Sequence, residues 1–371
     1  MLIEIALLAF ALALIVAAAE FFTNGIEHLG EHLQLGEAAV GSVLAAVGTA
    51  MPETLIPVAA ILLSKGEASD AIGMGSILGA PFMLSTLALT VTAVAAFAYA
   101  KRRAHGAALL VSRRILRRDL TYFLSLYGLA VATAWLPAGP LRWGVCCVLL
   151  GGYVRYVIAN LSESSASIEG KTPLRLQLVW VRLSLTRLPE ETREAFLHRR
   201  RRCIEGCPHP VATTVQVILA LAIMLVGARI FVYHVEQIAA LLGVSGLVIA
   251  LLLAPVATEM PEKLNSVIWV RESKDTLALG NITGAMVFQS SIPATLGIAL
   301  TDWNLHNPAL HGHTAFISAF IALTSAFFVL LCARHRHHLN SATGRTSLSP
   351  WVLLVGLPLY LLFIISVIFH W

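Results

Sequence analysis

Charge is scarce in this chain. Only 13% of its 371 residues are Asp, Glu, Lys or Arg, against 57% hydrophobic, and the mean hydropathy is +0.79. That composition leaves too little polar surface for a water-soluble globular fold. Cysteine is also sparse: Cys146, Cys147, Cys203, Cys207 and Cys332 show no spacing of a disulfide framework. A basic leader is missing, since the first apolar run opens Met1-Leu2-Ile3-Glu4 and closes Ala18-Ala19-Glu20, so it is expected to remain as a mature helix.

What the chain has in abundance is long apolar runs. A bilayer core of about 30 Å needs about 20 apolar residues per helix, and the runs meet that length for helices rather than barrel strands. We expect an all-α polytopic membrane protein with about ten spans, near 2–23, 37–63, 70–98, 120–136, 141–161, 211–232, 244–270, 275–301, 312–332 and 350–369. Basic residues set the orientation. Lys101, Arg102, Arg103, Arg113, Arg114, Arg117 and Arg118 follow the third span, and Lys171 through Arg199-Arg200-Arg201-Arg202 follow the fifth. Those loops are expected in the cytoplasm, with Arg271, Lys274, Arg334, Arg336 and Arg345, which puts both termini on the opposite side of a cell membrane. The net charge of +5 is thereby explained as orientation and lipid affinity, without nucleic acid. The sequence carries no signal for an oligomeric state.

The spans divide into two halves of five, 1–161 and 211–371, joined by a basic cytoplasmic linker at 162–210. Five is odd, so the second half enters the membrane from the other side and any repeat between the halves is inverted. Such a repeat exists. Gly48-Thr49-Ala50-Met51-Pro52-Glu53 matches Ala257-Thr258-Glu259-Met260-Pro261-Glu262. Beyond each motif, Asp70 to Ala80 matches Asp275 to Ala285, including Gly75/Gly79 and Gly280/Gly284 at the spacing of close helix contact. The repeat units run over about 37–98 and 244–301.

A carboxylate at mid-membrane depth costs about 2.5 to 3.5 kcal/mol on insertion scales, so two at matching positions point to a shared partner. Proline lacks an N–H, so Pro52 and Pro261 free the carbonyls of Gly48 and Ala257 beside those of Thr49 and Thr258. Two carboxylates, Glu53 and Glu262, with several kink carbonyls make hard, oxygen-rich coordination suited to Ca2+.

With these motifs the chain resembles the cation/Ca2+ antiporter superfamily, of sodium/calcium exchanger type, whose repeats read G-T-S-x-P-E followed by G-N-x-x-G-S-N-x-x-N. The resemblance implies antiport by alternating access, Ca2+ bound by Glu53 and Glu262 with the carbonyls of Thr49 and Thr258, Na+ or H+ as counter-ion, and no organic cofactor. Glu20, Glu27, Asn24 and Gly25, at the end of the first helix, fall where family members carry acidic residues and glycine. The chain departs from the family at ligand positions. The motif serine is Ala50 in one repeat and Glu259 in the other, and the tails read Gly79-Ala80-Pro81-Phe82-Met83-Leu84 and Gly284-Ala285-Met286-Val287-Phe288-Gln289. Ser76, Asn281 and Gln289 remain to complete or gate the site.

Lys263 places an ammonium beside the expected cation site. Glu259 stands four residues earlier, the favourable order for a helical pair, and pairing there leaves Glu262 free to face the ion. Pairing with Glu262 instead would displace the cation and leave a non-transporting sensor or scaffold. A third reading is a zinc peptidase, because His28-Leu29-Gly30-Glu31-His32 spells H-x-x-E-H in what we take as a short loop. Cys203, Cys207 and His209, and the histidines at 306, 311, 313, 335, 337 and 338, read as solvated loop residues before metal ligands.

Overall fold

The computed structural model describes residues 2–32, 51–63, 67–161, 210–243, 245–305, 312–335, 339–340 and 345–369. Each of the ten expected spans has a helical counterpart among these residues. The first half contains α1 (Leu2–His32), α2 (Met51–Val58, continued by a π turn at Ala59–Leu63), α3 (Glu67–Met83), a π turn at Leu84–Ala88, α4 (Leu89–Ala98), α5 (Arg113–Ala132) and α6 (Pro140–Leu161). The second contains α7 (Pro210–Leu242), α8 (Gly246–Thr258), α9 (Met260–Arg271), α10 (Asp275–Gln289), α11 (Ile292–Leu300), α12 (Gly312–His335), α13 (Pro350–Leu353) and α14 (Gly356–Phe369). The linker at 162–209 lies outside the described residues, as do Thr49 and Ala50.

Several boundaries differ from the sequence reading. At 1.5 Å per residue, α1 and α7 are roughly 47 and 50 Å long, well beyond the apolar thickness of a membrane. The first helix runs on through His28 to His32, where the sequence suggests a short loop, because backbone hydrogen bonding does not stop where side chains turn polar. The fourth span starts at Arg113 rather than 120, since Ser112 caps the helix by accepting from the Ile115 N–H. The seventh span is interrupted at Thr258–Met260, where proline removes a donor, and the eighth at Ser290 and Ser291.

Packing follows an internal two-fold. Helix α1 lies along α7, and α5 along α12, each pair relating one half to the other. Several further contacts come in mates: α3 with α12 and α10 with α5; α4 with α13 and α11 with α6; α2 with α3 and α9 with α10. Spans 69–98 and 275–300 are the most enclosed, whereas 2–22, 140–160 and 350–367 expose apolar surface suited to lipid. Residues such as Phe10, Trp143, Ile158, Phe320 and Leu362 lie on that outer surface.

Close approach at the centre depends on glycine. A Cβ on Gly75 would stand 2.3 Å from the Leu247 carbonyl oxygen, and one on Gly79 2.4 Å from that of Leu251. Pro255 leaves the Leu251 carbonyl without its helical donor, so α3 packs against a backbone that its glycines alone admit. The matching Gly280 and Gly284 have Ile115 and Tyr156 as described neighbours, at 3.9 and 3.4 Å.

A small sheet, absent from the sequence reading, closes one end of the helical body. Strand β1 (Leu109–Ser112) pairs antiparallel with β3 (Arg345–Leu348), which also pairs with β2 (Leu339–Asn340). Arg103 adds a buried ion pair with Asp275 at 2.5 Å, and the Leu110 N–H donates to the same carboxylate at 2.7 Å. The loops after the third, seventh and ninth spans thus share one face. The opposite face gathers the loops after the fourth and eighth, where Arg142 donates to the carbonyls of Leu136 and Asp302.

Candidate functional site

The two motif glutamates are both buried, Glu53 in α2 at 5% exposure and Glu262 in the first turn of α9 at 3%. Local sequence explains the position of Glu262. The helix breaks at Glu259, which has φ −90° and ψ 7°, and Pro261 starts the next segment with a residue that needs no donor there. A carboxylate in that first turn is favoured by the positive end of the helix dipole. Glu262, Glu259 and Lys263 all lie near enough to act on Glu53 electrostatically, the first two as like charges and the lysine as an opposite one. One buried acidic side chain from each half therefore lies within electrostatic reach of the other, and with Glu259 and Lys263 they make up a charged cluster defined by that reach.

Within that cluster Glu259 is 1% exposed, and Lys263 places its Nζ 3.1 Å from Glu259 Oε2. The same ammonium donates to the Pro255 carbonyl at 3.2 Å. Glu53 Oε2 is buried with no hydrogen-bond partner among the described residues, which marks it as an oxygen available to a ligand.

The secondary residues are distributed around this centre. Asn281 on α10 donates its side-chain amide to the Glu262 carbonyl at 3.2 Å. Thr258 is buried and donates its hydroxyl to the Ala254 carbonyl, and Ser76 donates to that of Ile72, each leaving the hydroxyl oxygen free to accept. Gln289 is buried with Oε1 unpartnered among the described residues. Thr49 lies outside them.

Other expected residues take structural places. Asn24 accepts from Gln216 Nε2 at 3.0 Å, joining α1 to α7, and a Cβ on the adjacent Gly25 would meet Val217 at 2.8 Å; Glu20 is exposed. Of the H-x-x-E-H residues only the His28 side chain is described, and it is buried on α1. Among the described residues no group of three or more His, Cys, Asp or Glu is arranged to hold a metal ion. A cavity of about 170 Å³ lies between α1 and α7, lined by Leu14, Phe21, Gln216 and Ile223, and another of about 120 Å³ lies at Arg142, Cys146 and Thr301. Both are away from the acidic cluster.

Sequence reasoning missed two features. The register that matches Asp70 to Asp275 also matches Ser85-Thr86 to Ser290-Ser291, and both hydroxyl pairs sit where their span is irregular. Ser85 and Thr86 donate to the Phe82 carbonyl, and Ser290 and Ser291 to that of Val287. Extending the repeat alignment a few residues would have found them. The second is Asp119 on α5, buried at 1% exposure, which accepts from Thr283 on α10 at 2.7 Å and from Tyr156 on α6 at 3.1 Å.

Helices that break in the second half and take π turns in the first, with one buried glutamate from each half, fit a membrane protein of secondary-transporter class. The model of the sodium/calcium exchanger protein family matches residues 3–162 and 212–369, and the chain belongs to that family. Its matched segments stop on either side of the polar linker. Among curated proteins the chain is 26% identical over 300 residues to the putative antiporter CaxA of Alkalimonas amylolytica, covering 77% of each chain. Among solved structures it is similar to the H+/Ca2+ exchanger CAX, at TM-score 0.66 and 14% identity over 98% of this chain and 82% of that one. It is also similar to the sodium-calcium exchanger NCX_Mj, at TM-score 0.55 and 19% identity over 98% and 99%. Membership in an exchanger family also removes the peptidase reading of His28 and His32.

Proposed function

We propose that this protein is a secondary active antiporter that exchanges a divalent cation, Ca2+ before others, against H+ or Na+ by alternating access. The observation that carries the proposal is the burial of Glu53 and Glu262, one from each half, within electrostatic reach of each other. Like charges in a low-dielectric interior repel unless a cation lies between them, and a divalent ion matches two carboxylates. The similar proteins, a putative antiporter and exchangers of H+/Ca2+ and sodium/calcium, agree with this chemistry.

Counter-ions act by competition. A proton or Na+ that neutralises the carboxylates releases the divalent ion, and the site then switches sides with its charge balanced. Kink oxygens near Thr258, with the position matching it at Thr49, supply neutral ligands, while Ser76, Asn281 and Gln289 shape the surroundings. The pairing of Lys263 with Glu259 favours transport over the sensor reading, because the ammonium has a partner of its own. The face carrying β1 and β3 is assigned to the cytoplasm from its basic loops, with both termini opposite.

The test is ion-resolved uptake into proteoliposomes under imposed Na+ or pH gradients. Calcium uptake driven by one gradient, and lost in Glu53→Gln and Glu262→Gln, is expected. Normal transport by both variants would overturn the site.

A further inference from the structure

Three buried carboxylates rather than two, Glu53, Glu259 and Glu262, lie within electrostatic reach of one another, and Glu259 already has a cation. Glu259 occupies the position where the matching repeat has Ala50, so the second half alone adds this charge. Its Oε2 lies 3.1 Å from Lys263 Nζ, and the ammonium takes a second oxygen, the Pro255 carbonyl, at 3.2 Å. A carboxylate and a backbone carbonyl, here one that also accepts from the Glu259 N–H at 3.2 Å, are oxygen ligands of the kind a hard metal cation selects. Here they serve a –NH3+ group with three donors and a unit charge.

We infer that Glu259 and the Pro255 carbonyl form a monovalent-cation subsite, and that the Lys263 ammonium occupies it permanently as a tethered substitute for a free Na+ or K+. The inference rests on the reading of Glu53 and Glu262 as the exchange site. An attached cation one helical turn away competes at a very high effective concentration, so dissolved monovalent ions do not displace it. Three carboxylates and one ammonium leave a formal charge of −2, which one divalent ion balances. Lys263 therefore sets how many free charges the site accepts, and it is a specificity-determining residue rather than an obstacle to binding.

Two details separate this from an ordinary helical ion pair. Both partners are enclosed, at 11% and 1% side-chain exposure, so the pair is withdrawn from the water that weakens surface pairs. Glu259 and Lys263 also both lie within electrostatic reach of Glu53, in the opposite half, so the charge of the pair is felt at the proposed exchange site. A buried carboxylate stripped of its lysine has to recover a cation or lose its charge.

The experiment measures equilibrium binding of radioactive Na+, K+ and Ca2+ to the purified full-length protein in lipid nanodiscs. Lys263→Met is expected to bind one more Na+ or K+ per chain than wild type, and Lys263→Met/Glu259→Gln to lose it again. Lys263→Arg, which keeps the charge, is expected to match wild type. Should the methionine variant not fold, Lys263→Gln takes its place. In addition, Glu259→Gln frees the ammonium toward Glu53 and Glu262 and is expected to weaken Ca2+ binding about tenfold or more; adding Lys263→Met restores it to within a few fold. A folded, Ca2+-binding Lys263→Met variant with no additional monovalent ion overturns the inference. So does a double variant that stays as weak for Ca2+ as Glu259→Gln, which would make Glu259 a direct ligand. Absence of Ca2+ binding in wild type would instead overturn the exchange reading, while the monovalent result still decides this one.

Discussion

The side-chain amide of Asn281 donates to the backbone carbonyl of Glu262 at 3.2 Å, so the residue proposed to bind the ion is held by the helix beside it. Asn281 thereby ties α10 to the broken end of α8 and α9. A partly buried hydrogen bond of this kind contributes about 1 kcal/mol. Asn281→Ala is expected to leave a folded protein whose half-saturating Ca2+ concentration in proteoliposome uptake rises severalfold, with maximal rate little changed. A loss of maximal rate at unchanged affinity would argue against this positioning role.

Glu53 and Glu262 are related by the repeat and are expected to behave alike. Replacing either with Gln keeps size and removes one of two charges facing the ion, which should weaken Ca2+ by about 100-fold, or ~2.7 kcal/mol. Protons compete for the same oxygens, so apparent Ca2+ affinity in the wild type falls as pH is lowered. Uptake titrated with Ca2+ at several pH values checks both statements.

Gly79 tests the helix contact on which the site is built. A methyl group there would lie 2.4 Å from the Leu251 carbonyl oxygen, and backbone cannot step aside as a flexible side chain does. Gly79→Ala is expected to lower stability by about 1 to 3 kcal/mol, the range for overpacking. Gly128 on α5 has nothing within 4 Å of its Cβ position, and Gly128→Ala should be neutral or slightly stabilising. Thermal unfolding of the purified variants in one detergent compares them directly.

The fold was legible because hydrophobic runs and basic loops are local signals. Ten spans, their two-half organisation and the matching Met-Pro-Glu motifs could all be read within short windows. The sheet could not, because β1 pairs with β3 across more than half the chain and neither is long enough to show an alternating pattern. Arg103 and Asp119 were unreadable for a related reason. Both stand among arginines, where a charged residue is expected to be solvated, and the approach of α10 buries them against Asp275 and Thr283, with Tyr156 of α6 also covering Asp119. At the candidate site, the sequence placed Glu259 four residues before Lys263, and the structure makes that pair. The second contact of Lys263, to the Pro255 carbonyl, depends on the way the helix breaks, which no spacing rule gives.

The buried ion pair between Arg103 and Asp275 joins the loop after α4 to the start of α10, and it lies on the face that carries the sheet. Both side chains are 1% exposed, so removing one partner strands a charge that water cannot reach. Arg103→Leu is expected to cost about 3 to 5 kcal/mol of stability. Asp275 also accepts from the Leu110 N–H at 2.7 Å, so a rescue must keep an acceptor while discarding the charge. Asp275→Asn does so, and Arg103→Leu/Asp275→Asn should recover much of the loss because no unpaired charge remains. If the double variant unfolds at or below the temperature of Arg103→Leu, the pair is not what secures this face, and the remaining sheet contacts at Ser112 and Thr276 carry the load instead.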